Sequence, residues 1–143
     1  MSEQDNVKIA RAFFDAWNMG DLSKTAAYEA DNFMAESPGS TSPLNAAQNR
    51  AYNQNFMTAF PGSKFEILQT VAQGDYVVLN WTISGTHNGP LQAPSGAIVP
   101  PTGKKSILVG SSTSLVKNGK VAHTWNYWDM ASLLGQLGLI PPM

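Results

Sequence analysis

The hydrophobic residues in the first part of the chain recur with the period of a helix. Apolar side chains come at spacings of three and four, with charged residues between them: Val7, Ala10, Phe13, Phe14 and Trp17. One face of an amphipathic helix has this pattern. We predict a helix over residues 3–19 that begins at a Ser2–Asp5 capping box and ends at Gly20.

Two more helices and a short strand are predicted before residue 64. Asp21 is placed to cap a short helix over residues 22–29, and a strand follows over residues 31–36. After a turn-rich loop, Ser42 is the predicted N-cap of a third helix, which has a proline at its first position. We expect that helix to end at Pro61-Gly62.

From Lys64 onward the pattern changes to alternation of apolar and polar residues, which predicts strands. One strand runs from Lys64 to a turn at Gly74-Asp75, and the next covers residues 76–87. Residues 88–103 contain four prolines and three glycines and have no regular period. Such a segment is typical of a loop that covers a site or decorates an edge.

The last part of the chain predicts a long hairpin and a closing helix. Strands over residues 106–116 and 120–128 are joined through Asn118-Gly119, a pair that tolerates the positive φ of a tight type I′ turn. Asp129 can cap a helix over residues 130–137. Helices followed by a meander of four long strands predict an α+β fold, in which the helices cover one face of a curved antiparallel sheet.

The strand over residues 120–128 carries aromatic and polar residues on both of its faces. Side chains alternate along a strand. One face therefore carries His123, Trp125 and Tyr127, and the other carries Thr124, Asn126 and Trp128. A strand buried only for packing would carry Val, Ile and Leu on its inner face. The mixture therefore predicts a cavity with a few polar groups directed into it.

Composition narrows the classes of function. We expect one domain over residues 1–143, and a net charge of −1 without a run of Lys or Arg argues against a nucleic-acid partner. The absence of Cys excludes disulfides and thiolate nucleophiles, and the two His lack ligand spacing, so we expect no metal. The first residues do not resemble a signal peptide and no apolar run reaches membrane-spanning length, which predicts a soluble, cytoplasmic protein without a membrane partner.

Five phrases of the sequence occur in the order and spacing of a known family. They are Gly85-Thr-His-Asn-Gly89, Pro100-Pro-Thr-Gly-Lys104, Asn118-Gly-Lys-Val121, Trp125-Asn-Tyr-Trp-Asp129 and Leu133-Leu-Gly-Gln-Leu-Gly138. In these phrases the chain resembles the SnoaL-like polyketide cyclases over nearly its whole length. The resemblance implies the α+β cone of nuclear-transport-factor-2-like proteins, a homodimer, and a pocket between the helices and the concave sheet for a small hydrophobic or polycyclic molecule.

The resemblance also implies a chemistry. Cyclases of this family close a ring by intramolecular aldol condensation without metal or cofactor, and one Asp on the last strand acts as acid and base. That Asp falls at Asn126 in this chain, and an amide cannot accept the substrate proton. Asp129 and Glu36 are the alternative candidates for acid/base work, with Asn126 and His87 as groups that orient or polarise a carbonyl. The other interpretation of Asp129, and the one we favour, is the N-cap of the last helix.

Candidate ligand-binding residues are mostly aromatic, because a flat ligand needs aromatic walls, although aromatic residues also form the core of any small domain. They are Trp17, Trp81, Trp125, Tyr127 and Trp128. Ser112 is small and polar where packing would favour Val, so it could leave room at the pocket floor. His123 is a further candidate, on the strand face opposite Asn126.

Three hypotheses remain open from the sequence. The first is a cofactor-free cyclase or isomerase that performs acid/base chemistry on an apolar carbonyl compound. The second is a non-catalytic module of the same fold that binds a hydrophobic ligand, which the Asn at position 126 favours. The third is an interaction domain whose sheet dimerises and whose pocket is incidental.

Overall fold

The computed structural model describes residues 2–93 and 95–140. Its first helix, α1 (Glu3–Asp15), begins at the predicted capping box: the Ser2 hydroxyl accepts from the Asp5 N–H at 3.0 Å, and the Asp5 carboxylate accepts from the Ser2 N–H at 3.2 Å. The helix ends at Asp15 rather than at residue 19, because the chain turns there toward Gly20, whose φ is +68°. A 3-10 helix (Leu22–Tyr28) follows, and Asp21 caps it as predicted.

In the described residues, eight strands form two sheets. Their bounds are β1 (Glu29–Glu36), β2 (Leu44–Asn45), β3 (Lys64–Gln73), β4 (Tyr76–Thr86), β5 (Leu91–Gln92), β6 (Ile98–Val99), β7 (Lys105–Lys117) and β8 (Lys120–Trp128). The main sheet has six strands in the order β2-β1-β8-β7-β4-β3, while β5 and β6 form a small separate sheet within the predicted loop. β1 lies parallel to β8, so the sheet is mixed, whereas we had predicted an antiparallel one. The α+β class with helices on a curved sheet is confirmed.

The third helix begins later than predicted. Helix α2 (Ala46–Ala59) is capped by Asn45, whose side chain accepts from the Gln48 N–H, and the Gln48 side chain accepts in turn from the Asn45 N–H. The predicted N-cap, Ser42, is wrong because Leu44 and Asn45 first pair with β1 as strand β2. The helix is thus capped by an amide pair, three residues after the N-cap that the Ser-Pro dipeptide indicated.

The hairpin of β7 and β8 turns at the predicted pair. Asn118 and Gly119 have φ values of +52° and +74°, as a type I′ turn requires. The strands stay in register from Lys117↔Lys120 to Gly110↔Trp128, with one irregularity near Leu115. After β8, helix α3 (Met130–Gln136) begins at Asp129. In the parts of the chain that the structure describes, no helix is long and apolar enough to cross a membrane.

The helices pack on one face of the main sheet, here called the inner face, which carries Ser112, Thr124 and Asn126. The core lies between this face and α1, and its buried residues include Phe13, Leu79 and Trp81. The opposite face, here called the outer face, carries His123, Trp125 and Tyr127. Helices on a single side leave the outer face of the sheet exposed to solvent.

Candidate functional site

A cavity lies between α1, α2 and the inner face of the sheet. Its walls are largely aromatic: Phe14, Phe56, Phe60, Phe65, Trp81 and Trp128. Edge-to-face packing of Phe56 on Trp128, with ring centres 5.4 Å apart, joins α2 to β8. The cavity has a volume of about 120 Å³.

A chain of hydrogen bonds crosses the inner face and ends in the cavity wall. The Trp81 indole N–H donates to the Ser112 hydroxyl at 3.0 Å, and that hydroxyl donates to Asn126 Oδ1 at 2.7 Å. Asn126 Nδ2 donates to the Ser37 hydroxyl at 3.0 Å and to the Glu36 carbonyl at 3.3 Å. The pairing of Ser112 with Asn126 across β7 and β8 brings these groups together.

The direction of this chain follows from its two ends. The Trp81 indole can only donate, so the Ser112 oxygen accepts there and its proton goes to Asn126. The Glu36 carbonyl can only accept, so the amide nitrogen of Asn126, and not its oxygen, faces Glu36 and Ser37. The Ser37 oxygen therefore accepts from Asn126, and its own proton has no acceptor among the described residues. Ser37 lines the cavity, so its hydroxyl is available to donate to a ligand.

The predicted acid/base residues lie outside the cavity. The Glu36 carboxylate is 2.7 Å from His123 Nε2 on the outer face. Asp129 Oδ1 accepts from the Ser132 N–H at 3.0 Å and caps α3, so the structure supports the capping role that the sequence had left open. Strand alternation explains the position of Glu36, because this residue pairs with Trp125 and not with the inward-facing Asn126.

His87 is fully buried behind the cavity wall, where its ring stacks on Phe60 at 5.3 Å. Its Nδ1 accepts from the Thr102 N–H at 3.2 Å, which holds the end of the loop over residues 88–103. Burial lowers the pKa of His87, and a hydrogen bond with the backbone of Gly89 opposes this shift only in part. His87 does not line this cavity, so the structure shows no contact for the predicted role of polarising a ligand carbonyl; the contact that it does make is with the loop.

Four of the predicted ligand-binding residues line the cavity and three do not. Trp17, Trp81, Ser112 and Trp128 are in its walls, as is Asn126. The other three lie on the outer face: His123, Trp125 and Tyr127. They therefore lie outside this cavity, because alternation puts neighbours in a strand on opposite faces. The His123 and Trp125 rings stack on each other there, 4.1 Å apart.

Helix α2 contributes polar residues to the cavity that the sequence analysis missed. Asn49, Arg50, Tyr52 and Asn53 all line it. The helix pattern already indicated this contribution. Asn49, Asn53 and Phe56 lie at helical spacing, so one face of α2 carries polar as well as apolar residues. Burial raises the pKa of Tyr52, whose hydroxyl donates to the Pro38 carbonyl at 2.6 Å.

No metal-binding cluster is present among the residues that the structure describes. Groups of three or more His, Asp or Glu side chains close enough to hold an ion do not occur there. The polar groups of the cavity are instead hydroxyls, amides and one guanidinium. These groups can donate hydrogen bonds to an oxygen-bearing ligand.

The fold and the cavity define a protein of the nuclear-transport-factor-2-like class: helices on a curved mixed sheet, with a pocket between them. The family model described as "SnoaL-like polyketide cyclase" matches residues 7–137. The chain belongs to the SnoaL-like polyketide cyclase family.

Three solved structures illustrate the similarity. AclR from Streptomyces galilaeus, a candidate hydroxylase, is 25% identical with a TM-score of 0.85, covering 99% of this chain and 90% of that one. A candidate SnoaL-like polyketide cyclase from Jannaschia sp. CCS1 is 19% identical with a TM-score of 0.84, covering 98% and 95%. IdmH from Streptomyces antibioticus, a candidate polyketide cyclase, is 22% identical with a TM-score of 0.78, covering 93% and 98%. No curated protein sequence matches the chain.

Proposed function

We propose that the cavity binds an apolar small molecule that carries a carbonyl group, and that the Ser37 hydroxyl donates to this carbonyl. The observation that carries the proposal is the directed hydrogen-bond chain from Trp81 through Asn126, which leaves the Ser37 proton free at the cavity wall. Hydrogen bonds in such a chain polarise one another, so the last donor is strengthened. The aromatic walls supply the apolar surface.

The size of the cavity favours a compact ligand. Its volume of about 120 Å³ lies below the roughly 300 Å³ at the lower end of the range for ligand pockets. We therefore propose a ligand of no more than one or two rings. A larger polycyclic molecule would need part of its frame to extend through the cavity mouth.

Binding without proton abstraction is the function that the cavity supports best. Among the cavity-lining residues in the described part of the chain, none is an Asp, Glu or His. The group at the family's acid/base position, Asn126, uses its oxygen and nitrogen in hydrogen bonds to Ser112, Ser37 and the Glu36 carbonyl. An amide held in this way orients a donor and removes no proton.

A cyclase or isomerase is the second candidate, and family membership favours it. The Ser37 donor would stabilise the oxygen of a developing enolate, which is the larger part of catalysis in many such reactions. Proton removal would then need a base from outside the cavity wall or from the solvent.

Two naphthalene probes test the binding proposal. Isothermal titration with 2-acetylnaphthalene and 2-ethylnaphthalene compares ligands of similar shape with and without a carbonyl. We expect the ketone to bind roughly fivefold more tightly, as one net hydrogen bond allows. Ser37→Ala should remove that preference, while the control Ser40→Ala, in the same loop, should keep it. Equal affinity of the native protein for both probes would contradict the donor role of Ser37.

Deuterium exchange separates binding from catalysis. In D₂O the acetyl protons of bound 2-acetylnaphthalene exchange only if a base removes them, and NMR measures the rate. We expect no exchange above that of buffer with the native protein and a measurable rate with Asn126→Asp, which puts a carboxylate at the cavity wall. Exchange by the native protein would favour the cyclase or isomerase instead.

We also propose that a second copy of the chain covers the outer face. Large apolar side chains are exposed there on four neighbouring strands: Val71, Tyr76, Ile107, Val109 and Tyr127. Exposed apolar patches of this kind mark interaction surfaces, and such a patch can meet its own copy about a twofold axis. Sedimentation should show a dimer that Val109→Glu converts to a monomer. A monomer at all concentrations for the native chain would overturn this assembly.

A further inference from the structure

Arg50 brings a positive charge to the wall of an otherwise uncharged cavity. Its Nη1 is 2.6 Å from Glu29 Oε1 and 3.5 Å from the Thr25 hydroxyl, which also lines the cavity. The Glu29 side chain is only 7% exposed, whereas that of Arg50 is 32% exposed. The carboxylate is thus fixed behind the guanidinium, and the guanidinium is the partner that remains accessible.

The ion pair uses a small part of the hydrogen-bonding capacity of Arg50. A guanidinium has five N–H donors in a planar fork. Only Nη1 donates to acceptors among the described residues, so the donors on Nη2 and Nε have no protein acceptor there. A pairing through one nitrogen leaves an edge of the fork that can bind a second carboxylate through two parallel bonds.

Arg50 and the Ser37 hydroxyl lie toward different ends of strand β1. Arg50 is held by Glu29, the first residue of β1, while Asn126 and Ser37 meet at Glu36, its last residue. The β8 residues that pair with these two positions are four residues apart, so the two ends of β1 are separated by roughly 13 Å. The aromatic walls therefore lie between two separate polar anchors.

We propose that Arg50 is a second ligand anchor and that the ligand is an apolar ring compound with a carboxylate at one end and a ketone at the other. The carboxylate takes the free edge of the Arg50 guanidinium, and the ketone accepts from Ser37. The ketone end rests on the proposed function, whereas the carboxylate end rests on Arg50 alone. Glu29 competes for the same guanidinium and so limits the affinity.

Three probes separate the two anchors in titrations of the native protein. They are 2-acetylnaphthalene, 2-naphthoic acid and 6-acetyl-2-naphthoic acid. We expect the compound with both groups to bind roughly tenfold more tightly than the ketone alone, since a charge-assisted pair is stronger than a neutral hydrogen bond. Arg50→Met keeps the apolar stem and should abolish this advantage. The control Arg11→Met, at an exposed position of α1, should keep it.

Glu29→Gln distinguishes an anchor from a structural ion pair. If Arg50 binds the carboxylate, removal of the competing charge should strengthen 2-naphthoic acid binding several-fold. If Arg50 serves only to pair with Glu29, Glu29→Gln and Arg50→Met should weaken all three probes alike, which would overturn the inference. Thermal unfolding confirms that each variant is folded.

The Arg50 anchor and the Ser37 donor can fail independently, and each failure gives a different pattern of probe binding. Binding of 2-naphthoic acid that depends on Arg50, without any preference for a ketone, would sustain the Arg50 anchor and contradict the role of Ser37. Equal binding of 2-acetylnaphthalene and 6-acetyl-2-naphthoic acid to the native protein would overturn the Arg50 anchor and leave the ketone site in place. No binding of any probe would overturn both.

Discussion

The two faces of strand β8 have similar residues and opposite surroundings. Toward the helices, Asn126 and Trp128 lie in the wall of a cavity and are fixed by contacts with β7 and α2. Toward solvent, Trp125 stacks on His123, and Tyr127 is 64% exposed. Aromatic and polar side chains alone therefore do not define a binding face.

The partners of each face make the difference. On the inner face, β7 presents small serines opposite β8, and α1 and α2 enclose the space above them as a cavity. On the outer face β7 presents Ser111 and Thr113 opposite β8, and no helix in the described part of the chain covers the exposed Ile107 and Val109 further along β7. The inner face thus encloses a cavity, and the outer face presents exposed apolar side chains.

The variant Trp81→Ala tests the contrast between the two faces, and it has the largest expected effect on the free energy of unfolding. Trp81 is 6% exposed, packs on Phe65 and donates to Ser112. Its loss should lower the free energy of unfolding by about 3–5 kcal/mol, measured by urea denaturation. Tyr127→Ala on the outer face should change it by less than about 0.5 kcal/mol. The unfolding free energies of both variants are measured at a concentration where sedimentation shows a monomer. Equal losses of unfolding free energy would contradict the contrast between the faces.

Gly110→Ala tests how tightly the inner face is packed. A Cβ at Gly110 would overlap the six-membered ring of Trp81 from the neighbouring strand. Overpacking should cost about 1–3 kcal/mol of unfolding free energy. The adjacent control, Ser111→Ala, points to the outer face and should be nearly neutral. A neutral Gly110→Ala would show that the Trp81 ring is free to move.

His87 predicts how stability depends on pH. Because burial lowers the pKa of His87 in the folded state, the unfolded chain takes up the proton first as the pH falls. Stability should therefore be full above the ordinary His pKa of about 6.5 and fall below it, by up to about 1.4 kcal/mol per pH unit. His87→Gln keeps an acceptor for Thr102 and should flatten this loss, whereas His123→Gln should not. Urea denaturation at several pH values measures both, and an unchanged slope in His87→Gln would contradict the assignment.

Asp129→Ala gives the smallest expected effect. Loss of the cap on α3 should lower the unfolding free energy by about 1 kcal/mol, while Asp129→Asn should retain most of it. The affinity for 2-acetylnaphthalene should not change in either variant, because Asp129 does not line the cavity. A loss of binding in Asp129→Asn would instead show that the Asp129 carboxylate contributes to ligand binding.

Local signals in the sequence predicted much of the fold. The Ser2 capping box, the Asp21 and Asp129 caps and the Asn118-Gly119 turn depend only on nearby residues, and all are confirmed. The start of α2 and the parallel pairing of β1 with β8 depend on contacts between distant segments. The local pattern of hydrophobic and polar residues contains no information about contacts between distant segments.

The site was predicted less completely for the same reason. Alternation along β8 divided its residues correctly between two faces but could not say which face the helices would cover. Arg50 was missed because its pairing with Glu29 joins α2 to the start of β1, 21 residues away. Ser37 was assigned only to a loop, since its contact with Asn126 spans 89 residues.

A crystal structure of the complex with 2-acetylnaphthalene tests the central claim most directly. The account predicts that the rings lie against Phe56 and Trp128 and that the ketone oxygen is within hydrogen-bonding distance of the Ser37 hydroxyl. A probe bound on the outer face, or one inside the cavity with its ketone directed away from Ser37, would contradict it.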